Sequence, residues 1–154
     1  MLITGTLLDT LTVEAAQSQR RRKNRNFHTS DAARAHRLLN AMEPGSYVRP
    51  HRHLDEEKSE TMIALRGSFG LVIFDVDGAI AWFDTIACRG AALGIDIPHG
   101  TFHTVVALEP GSVFFEAKAG PYVPLREIES ASWAPADGAS DAPAYLQRMR
   151  ALFA

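Results

Sequence analysis

The sequence has 154 residues, a formal charge of -2 and a hydrophobic fraction of 46%, enough chain for one well-filled core and too little for two of comparable depth. The small negative charge gives no general attraction to nucleic acid, and no apolar run approaches the ~20 residues needed to cross a bilayer. A single cysteine, Cys88, excludes an intrachain disulfide; basic residues follow the first apolar segment, the reverse of a secretion signal, so a reducing cytoplasm is the expected compartment.

In chain order, Leu7, Leu8, Leu11 and Ala15 recur at spacings of three and four, which predicts an amphipathic helix over 6–19 with Thr6 as its cap. A basic run follows: Arg20, Arg21, Arg22, Lys23 and Arg25. One reading has these cations complement the helix dipole and then sit in water. The other folds them over a pocket mouth, where guanidinium groups bind a phosphate or carboxylate.

From about 36 onward short apolar runs alternate with Gly, Pro and Asp, the texture of an antiparallel all-β domain. Strands are expected near 60–66, 68–75, 79–86, 103–108 and 112–118. Asp77-Gly78 predicts a two-residue hairpin, and Glu109-Pro110-Gly111 a second hairpin between the last two strands. Residues 134–143 read as a flexible joint. Beyond them Tyr145, Leu146, Met149, Leu152 and Phe153 form one helical stripe with Asp141 as a possible cap. The expected organisation is therefore an N-terminal helix and basic segment over 1–35, a β domain over 36–137 and a C-terminal helix over 138–154, all within one structural domain.

The chemistry concentrates in 45–67 and 98–103. His51 and His53 are two apart, so on a strand both imidazoles face one side and a metal can bridge them. Glu60 opens the next strand, which a hairpin would fold against the first, adding a harder oxygen ligand. Pro98 and Gly100 make a turn that delivers His103. Three imidazoles and one carboxylate suit Fe, Mn, Ni or Zn as a divalent ion, with positions left open for a substrate.

Gly45, five residues, His51-Arg-His53, then Glu60 with six residues to Gly67 resembles the first cupin motif, and Pro98-x-Gly100-x-x-His103 resembles the second. The resemblance implies an all-β double-stranded β-helix, a jelly-roll-like barrel with flanking N- and C-terminal helices, and a homodimer paired through edge strands. Two departures stand out. Six residues separate His53 from Glu60, which makes Glu57 a rival ligand, and Ala107 stands where cupins often carry Asn. A narrower resemblance, in RLLNAMEPGSYVRPHRH, FEAKAGPYVP at 115–124 and SWAPAD at 132–137, is to the WbuC family of cupin-fold metalloproteins. It implies a bacterial surface-polysaccharide (O-antigen) setting, and no reaction. It also makes Lys118 and Tyr122 candidates for the pocket.

The remaining polar residues have two readings each. His28 either reaches the barrel mouth as a substrate contact or proton donor, or is a loop histidine without a role. Tyr47 and Arg49 share the phase of His51 and His53; Tyr47 moves a proton or packs in the core, and Arg49 pairs an anionic substrate or a surface carboxylate. His99 is expected in solvent and His36 in the structure. Phe102, Trp82, Phe114 and Phe115 are expected inside the barrel. Two functions follow: a metal-dependent enzyme acting on a sugar, sugar nucleotide or small polar or anionic molecule, of isomerase, epimerase or dioxygenase type, or a non-catalytic binding or sensor module. No nucleotide-binding glycine loop or DNA-reading module is visible, and neither nucleic acid nor membrane is an expected partner.

Overall fold

In the computed structural model, which describes residues 1–154, the first helix, α1, runs Gly5–Gln17. Its cap is Thr4 and not Thr6: the Thr4 hydroxyl accepts from the Leu7 N–H at 3.3 Å, satisfying one of the donors that a helix start leaves free. Leu8, Leu11 and Ala15 are buried against Leu39, Ala41 and Val113. The basic run does not complete this helix, whose last turn holds no basic residue. Arg21 takes a left-handed φ of 56°, and the chain turns into β1 (Arg22–Asn26), which pairs antiparallel with β2 (Ala35–Met42). Residues 22–26, assigned by sequence to a segment outside the barrel, are its edge strand.

The five strands expected from sequence form within a residue or two of their expected limits: β3 (Glu60–Arg66), β4 (Ser68–Phe74), β5 (Ile80–Ala87), β7 (Phe102–Ala107) and β8 (Ser112–Ala119), joined by a short β6 (Gly94–Ile97). They assemble as a five-stranded sheet, β1-β2-β8-β3-β6, facing a three-stranded sheet, β5-β4-β7. Every pairing is antiparallel. Met42, Met62, Ala64 and Phe114 from one sheet meet Phe69, Leu71 and Val105 from the other. The helices flank this sandwich: α1 covers the large sheet, and α2 (Ala142–Arg150) lays Tyr145, Leu146 and Met149 on Val72, Phe74 and Val106 of the small one.

Several local expectations are corrected. The Asp77-Gly78 hairpin forms with three loop residues instead of two. Gly78 N donates to Asp75 O at 3.2 Å and Asp75 N to Ala79 O at 3.0 Å, so Val76 and Asp77 make the turn and Gly78 takes the left-handed position at φ 88°. Glu109–Gly111 makes no hairpin, because β7 pairs with β4 whereas β8 pairs with β2 and β3; the turn carries the chain between sheets. Asp141 precedes α2 but makes no side-chain cap bond. The segment 134–143 is tied to the barrel, since Tyr47 OH donates to Pro135 O at 2.8 Å and Arg22 pairs with Asp137 at 3.1 Å.

Of the four aromatics expected inside, only Phe114 packs between the sheets, edge-on to Phe69. Phe102 is buried on the outer side under α2, Phe115 lies under α1, and Trp82 is exposed on β5 beside Phe83. Alternation along a strand decides this, since neighbouring residues face opposite sides. No helix is long and apolar enough to cross a membrane.

Candidate metal centre

The segment carrying His51 and His53 is extended but is not a regular strand. Its ladder is limited to bridges from His51 to His103 on one side and to Ser130 on the other. Pro50 has no N–H to extend the pairing, and its carbonyl accepts from Ala131 N. His51 and His103 exchange backbone bonds of 3.0 and 2.9 Å, so their side chains share one face, and His53, two residues on, returns to it. Glu60 does not fold against this segment as a hairpin partner. It opens β3 opposite Lys118 of β8 and Ile97 of β6, which aims its carboxylate inward at 2% exposure. Glu57, the rival ligand, is exposed in the preceding turn, where its N–H bonds Asp55. Of the two glutamates, Glu60 is the one grouped with His51 and His53.

The donor atoms of His51, His53 and Glu60 lie within 4.8 Å of one another. An ion at ~2.0–2.2 Å from each ligand spans up to about 4.4 Å between opposite donors, so small side-chain movements close the set. His53 Nε2 is 3.0 Å from Glu60 Oε1, and His103 Nε2 is 3.0 Å from Glu60 Oε2. His103 thus meets the carboxylate from the far side, its ring centroid 6.5 Å from that of His53.

The histidine tautomers test whether a metal fits. His51 Nδ1 is 3.0 Å from Arg49 O, and His103 Nδ1 is 2.9 Å from Thr101 O. A carbonyl only accepts, so each Nδ1 carries a proton, and a ring in its neutral form presents its Nε2 lone pair to the centre. This is the outer-shell arrangement that orients metal-binding imidazoles. At His103 it leaves a lone pair facing a carboxylate oxygen at 3.0 Å, a repulsive contact unless a cation, a proton or a metal ion, lies between them. The donor set therefore fits a divalent ion. Burial, reinforced by neighbouring His103, pushes His51 down to about 3, which keeps it neutral and able to coordinate at ordinary pH.

Burial opposes ionisation of Glu60, but bonds from His103 and His53 and the charge of Lys118 outweigh it and hold the carboxyl well below its usual range. Lys118 Nζ lies 2.6 Å from Glu60 Oε1 and 2.7 Å from Glu116 Oε1. Burial lowers its affinity for a proton, and the two carboxylates more than compensate, raising it. Glu116 also accepts from Asn40 Nδ2 at 2.7 Å through Oε2. Its Oε1, close enough to Lys118 for an ion pair, lacks hydrogen-bond geometry to any donor. Sequence reading missed Glu116 and Asn40. The signal was present in β8, where Phe114, Glu116 and Lys118 alternate on one face and continue a buried phase with charged residues.

Other candidates are placed elsewhere. The Tyr47 hydroxyl is committed to Pro135 O, and its ring packs edge-on to Tyr145; burial pushes it above its usual range. Arg49 does not line the cavity, because its guanidinium donates to Ala131 O at 2.6 and 3.0 Å. His28 stacks on His36 with centroids 3.9 Å apart, and its Nδ1 accepts from Arg37 N at 3.2 Å. His36, expected to be structural, is buried and also lines a cavity of about 160 Å³ with His51, His53, Lys58 and the exposed Tyr122. His99 is exposed. A second cavity of about 200 Å³, lined by Arg20, Arg22, Asn24, Asn40, Glu116 and Lys118, reaches His51 and Glu60 from the β1 side. Arg25 lines neither.

The strip that bridges His51 from outside depends on Glu129. Its carboxylate accepts from Leu54 N at 2.9 Å and from Arg126 N and Nε at 3.0 Å each. The Leu54 bond foremost, then the Arg126 side chain, hold its carboxyl at about 2 against an ordinary 4.5. The folded state therefore releases this proton more readily than the unfolded chain. The stabilisation is complete above about pH 4.5 and is lost as pH falls through about 2. Glu129→Ala should lower stability at neutral pH by about 1 kcal/mol, the low end of the cost of leaving a donor unmet, because the Leu54 N–H is only partly buried. In urea melts the gap to wild type should narrow progressively below about pH 4.5; a gap that stays constant with pH refutes the assignment.

Residues 3–84 match a family model described as a domain of unknown function, DUF6016. No curated protein matches the chain. Among solved structures, KdgF from Halomonas sp. aligns with a TM-score of 0.52 and 17% identity over 70% of this chain and 85% of that one. SPY1581, a conserved protein of unknown function from Streptococcus pyogenes, gives 0.51 and 14% over 71% and 86%. Oxalate decarboxylase from Bacillus subtilis gives 0.48 and 21%, with this chain spanning 23% of its length. At these identities the first two likenesses concern the fold, which is a cupin-like jelly roll with flanking helices.

Proposed function

The chain belongs to the DUF6016 family, and from its cupin-like fold and inward-facing donor set we propose a metal-dependent enzyme acting on a sugar or related small polar molecule. One observation carries the reading: a carboxylate at 2% exposure stands against two imidazole nitrogens at 3.0 Å, with His51 and His103 held by backbone carbonyls in the tautomer that coordinates. His51, His53, Glu60 and His103 would hold one divalent ion of Fe, Mn, Ni or Zn. Such an ion supplies Lewis acidity toward a carbonyl or hydroxyl oxygen.

The protein groups beside it determine the rest. Lys118 and Glu116 border the 200 Å³ cavity and are placed to hold or move a proton, the role that sequence reading assigned to His28 or Tyr47. Asn40 steadies Glu116. The apolar floor of Met42, Val48, Met62, Val105 and Phe114 limits water. The WbuC-like segments support a surface-polysaccharide setting, and exposed Ile80, Trp82 and Phe83 on edge strand β5 support a homodimer.

Elemental analysis of protein purified without a metal-chelating column should find about one divalent metal per chain, and light scattering should give twice the 16.9 kDa protomer mass. Isomerisation and oxygen-consumption assays on sugar panels then test turnover. Neither native metal nor uptake on reconstitution defeats the metal reading. Ligand-induced melting shifts without turnover under any metal replace the enzyme with a binding module.

A further inference from the structure

The cavity that reaches His51 and Glu60 from the β1 side differs in charge from the molecule as a whole. The chain carries a formal charge of -2, yet this cavity sets the cations of Arg20, Arg22, Lys23 and Lys118 against the two carboxylates of Glu60 and Glu116. A divalent ion would add two more positive charges. Within the wall, Lys118 is already matched by both carboxylates and Arg22 by Asp137. Arg20 has no ion-pair partner, and it lies near enough to Arg22 to oppose that guanidinium's charge, a smaller influence there than burial, which acts in the same direction, or Asp137, which acts against it.

Local backbone geometry sets this arrangement. Arg21, at φ 56°, occupies a conformation that disfavours a side chain and persists only where its surroundings impose it. The reversal sends Arg21 to the Ala16 carbonyl and leaves Arg20 and Arg22 on the cavity. In β1 the pairings Arg22↔Met42 and Asn24↔Asn40 put those residues on the inner face, while Lys23↔Ala41 and Arg25↔Leu39 turn theirs to the opposite face, where Lys23 still borders the cavity and Arg25 does not. Lys23 accordingly pairs with Glu14 of α1. Arg20 and Arg22 also border a larger outer cleft of about 680 Å³ between Pro44–Tyr47 and the start of α2, so the two spaces meet at this arginine pair.

We infer that Arg20 and Arg22 form an anion gate to the metal centre, and that the ligand is a small hydroxylated molecule bearing a phosphate or carboxylate. This deepens the enzyme reading above and rests on it for the role of the metal. Guanidinium groups match the paired oxygens of either anion, and the amides of Asn24 and Asn40 suit hydroxyl groups behind it. Size limits the part that passes the gate: about 200 Å³ lies below the ~300–1,000 Å³ of drug-sized sites and accommodates a unit of monosaccharide size.

The test is isothermal titration of metal-analysed protein with glucose, glucose 1-phosphate and glucuronate at two salt concentrations, on wild type, Arg20→Gln and Arg25→Gln. Wild type should bind at least one of the two anions and bind glucose at least tenfold more weakly; which anion binds separates phosphate from carboxylate recognition. Arg20→Gln should weaken that anion about tenfold and flatten its salt dependence, because one charge fewer takes part. Arg25→Gln, the same charge change on the outer face of the same edge, should leave both unchanged. Absence of binding by either anion, equal affinity for glucose, or equal losses in the two variants overturns the gate. Because metal content is measured first and the gate residues are not ligands, gate-dependent binding by protein that neither holds metal nor takes it up on reconstitution would defeat the metal reading while supporting the gate.

Discussion

Glu60→Gln is expected to abolish stable metal binding while leaving the barrel folded. The substitution keeps the side chain's shape at the head of β3 but replaces an ionised carboxylate, held in that form by His103, His53 and Lys118 despite its burial, with a neutral amide. The imidazoles would then face a group with no net charge, and Lys118 would retain Glu116 as its partner at 2.7 Å. Loss of an outer-shell partner costs a metal site roughly 10–100-fold in affinity; loss of its one charged donor should exceed that. Chelator competition on reconstituted protein measures the change, with Glu57→Gln as the control from an exposed turn. Wild-type affinity in Glu60→Gln, or a loss in Glu57→Gln instead, would reverse the choice of ligand.

Lys118→Met should act mainly on stability, and in a metal-dependent way. In the metal-free protein the ammonium is the cation shared by Glu60 and Glu116, which are 2% and 7% exposed. Its removal leaves two buried carboxylates uncompensated, and breaking a buried pair from one side costs about 3–5 kcal/mol. A divalent ion at Glu60 replaces part of the missing charge. The urea midpoint of Lys118→Met should therefore fall steeply without metal and recover substantially with it, while wild type shows a smaller response. The sign is opposite to that of Glu60→Gln, whose stability should become indifferent to metal. A Lys118→Met protein as stable as wild type in the absence of metal would show that the ammonium does not offset these carboxylates.

The two variants differ because Glu60 and Lys118 meet through strand register, and register is the step at which local sequence reading loses reach. Local periodicity and turn chemistry specify where a strand begins and ends, which is why the limits of β3, β4, β5, β7 and β8 were legible. They do not specify partners. Glu109–Gly111 has the residues of a hairpin turn, yet its flanking strands belong to different sheets. Nothing within 22–26 marks a strand in isolation, since Arg22–Asn26 has no apolar face; it is a strand because β2 offers an unpaired edge.

By itself the sequence determined the all-β class with flanking helices, and the spacing that brings His51, His53, Glu60 and His103 into one region of the barrel. The pairing of His51 with His53 and the turn before His103 rest on short-range rules, since side chains alternate every second residue along an extended chain and Pro and Gly localise turns. Glu60 was placed by the resemblance to the cupin motifs, because the hairpin expected to deliver it does not form. Tertiary structure alone decided which polar side chains share that region. Pairing of β3 with β8 set Glu60 opposite Lys118 and brought in Glu116, whereas nearby carbonyls claimed Tyr47 and Arg49. A buried donor takes the acceptor within reach of its final position, and that position depends on strands far apart in the chain.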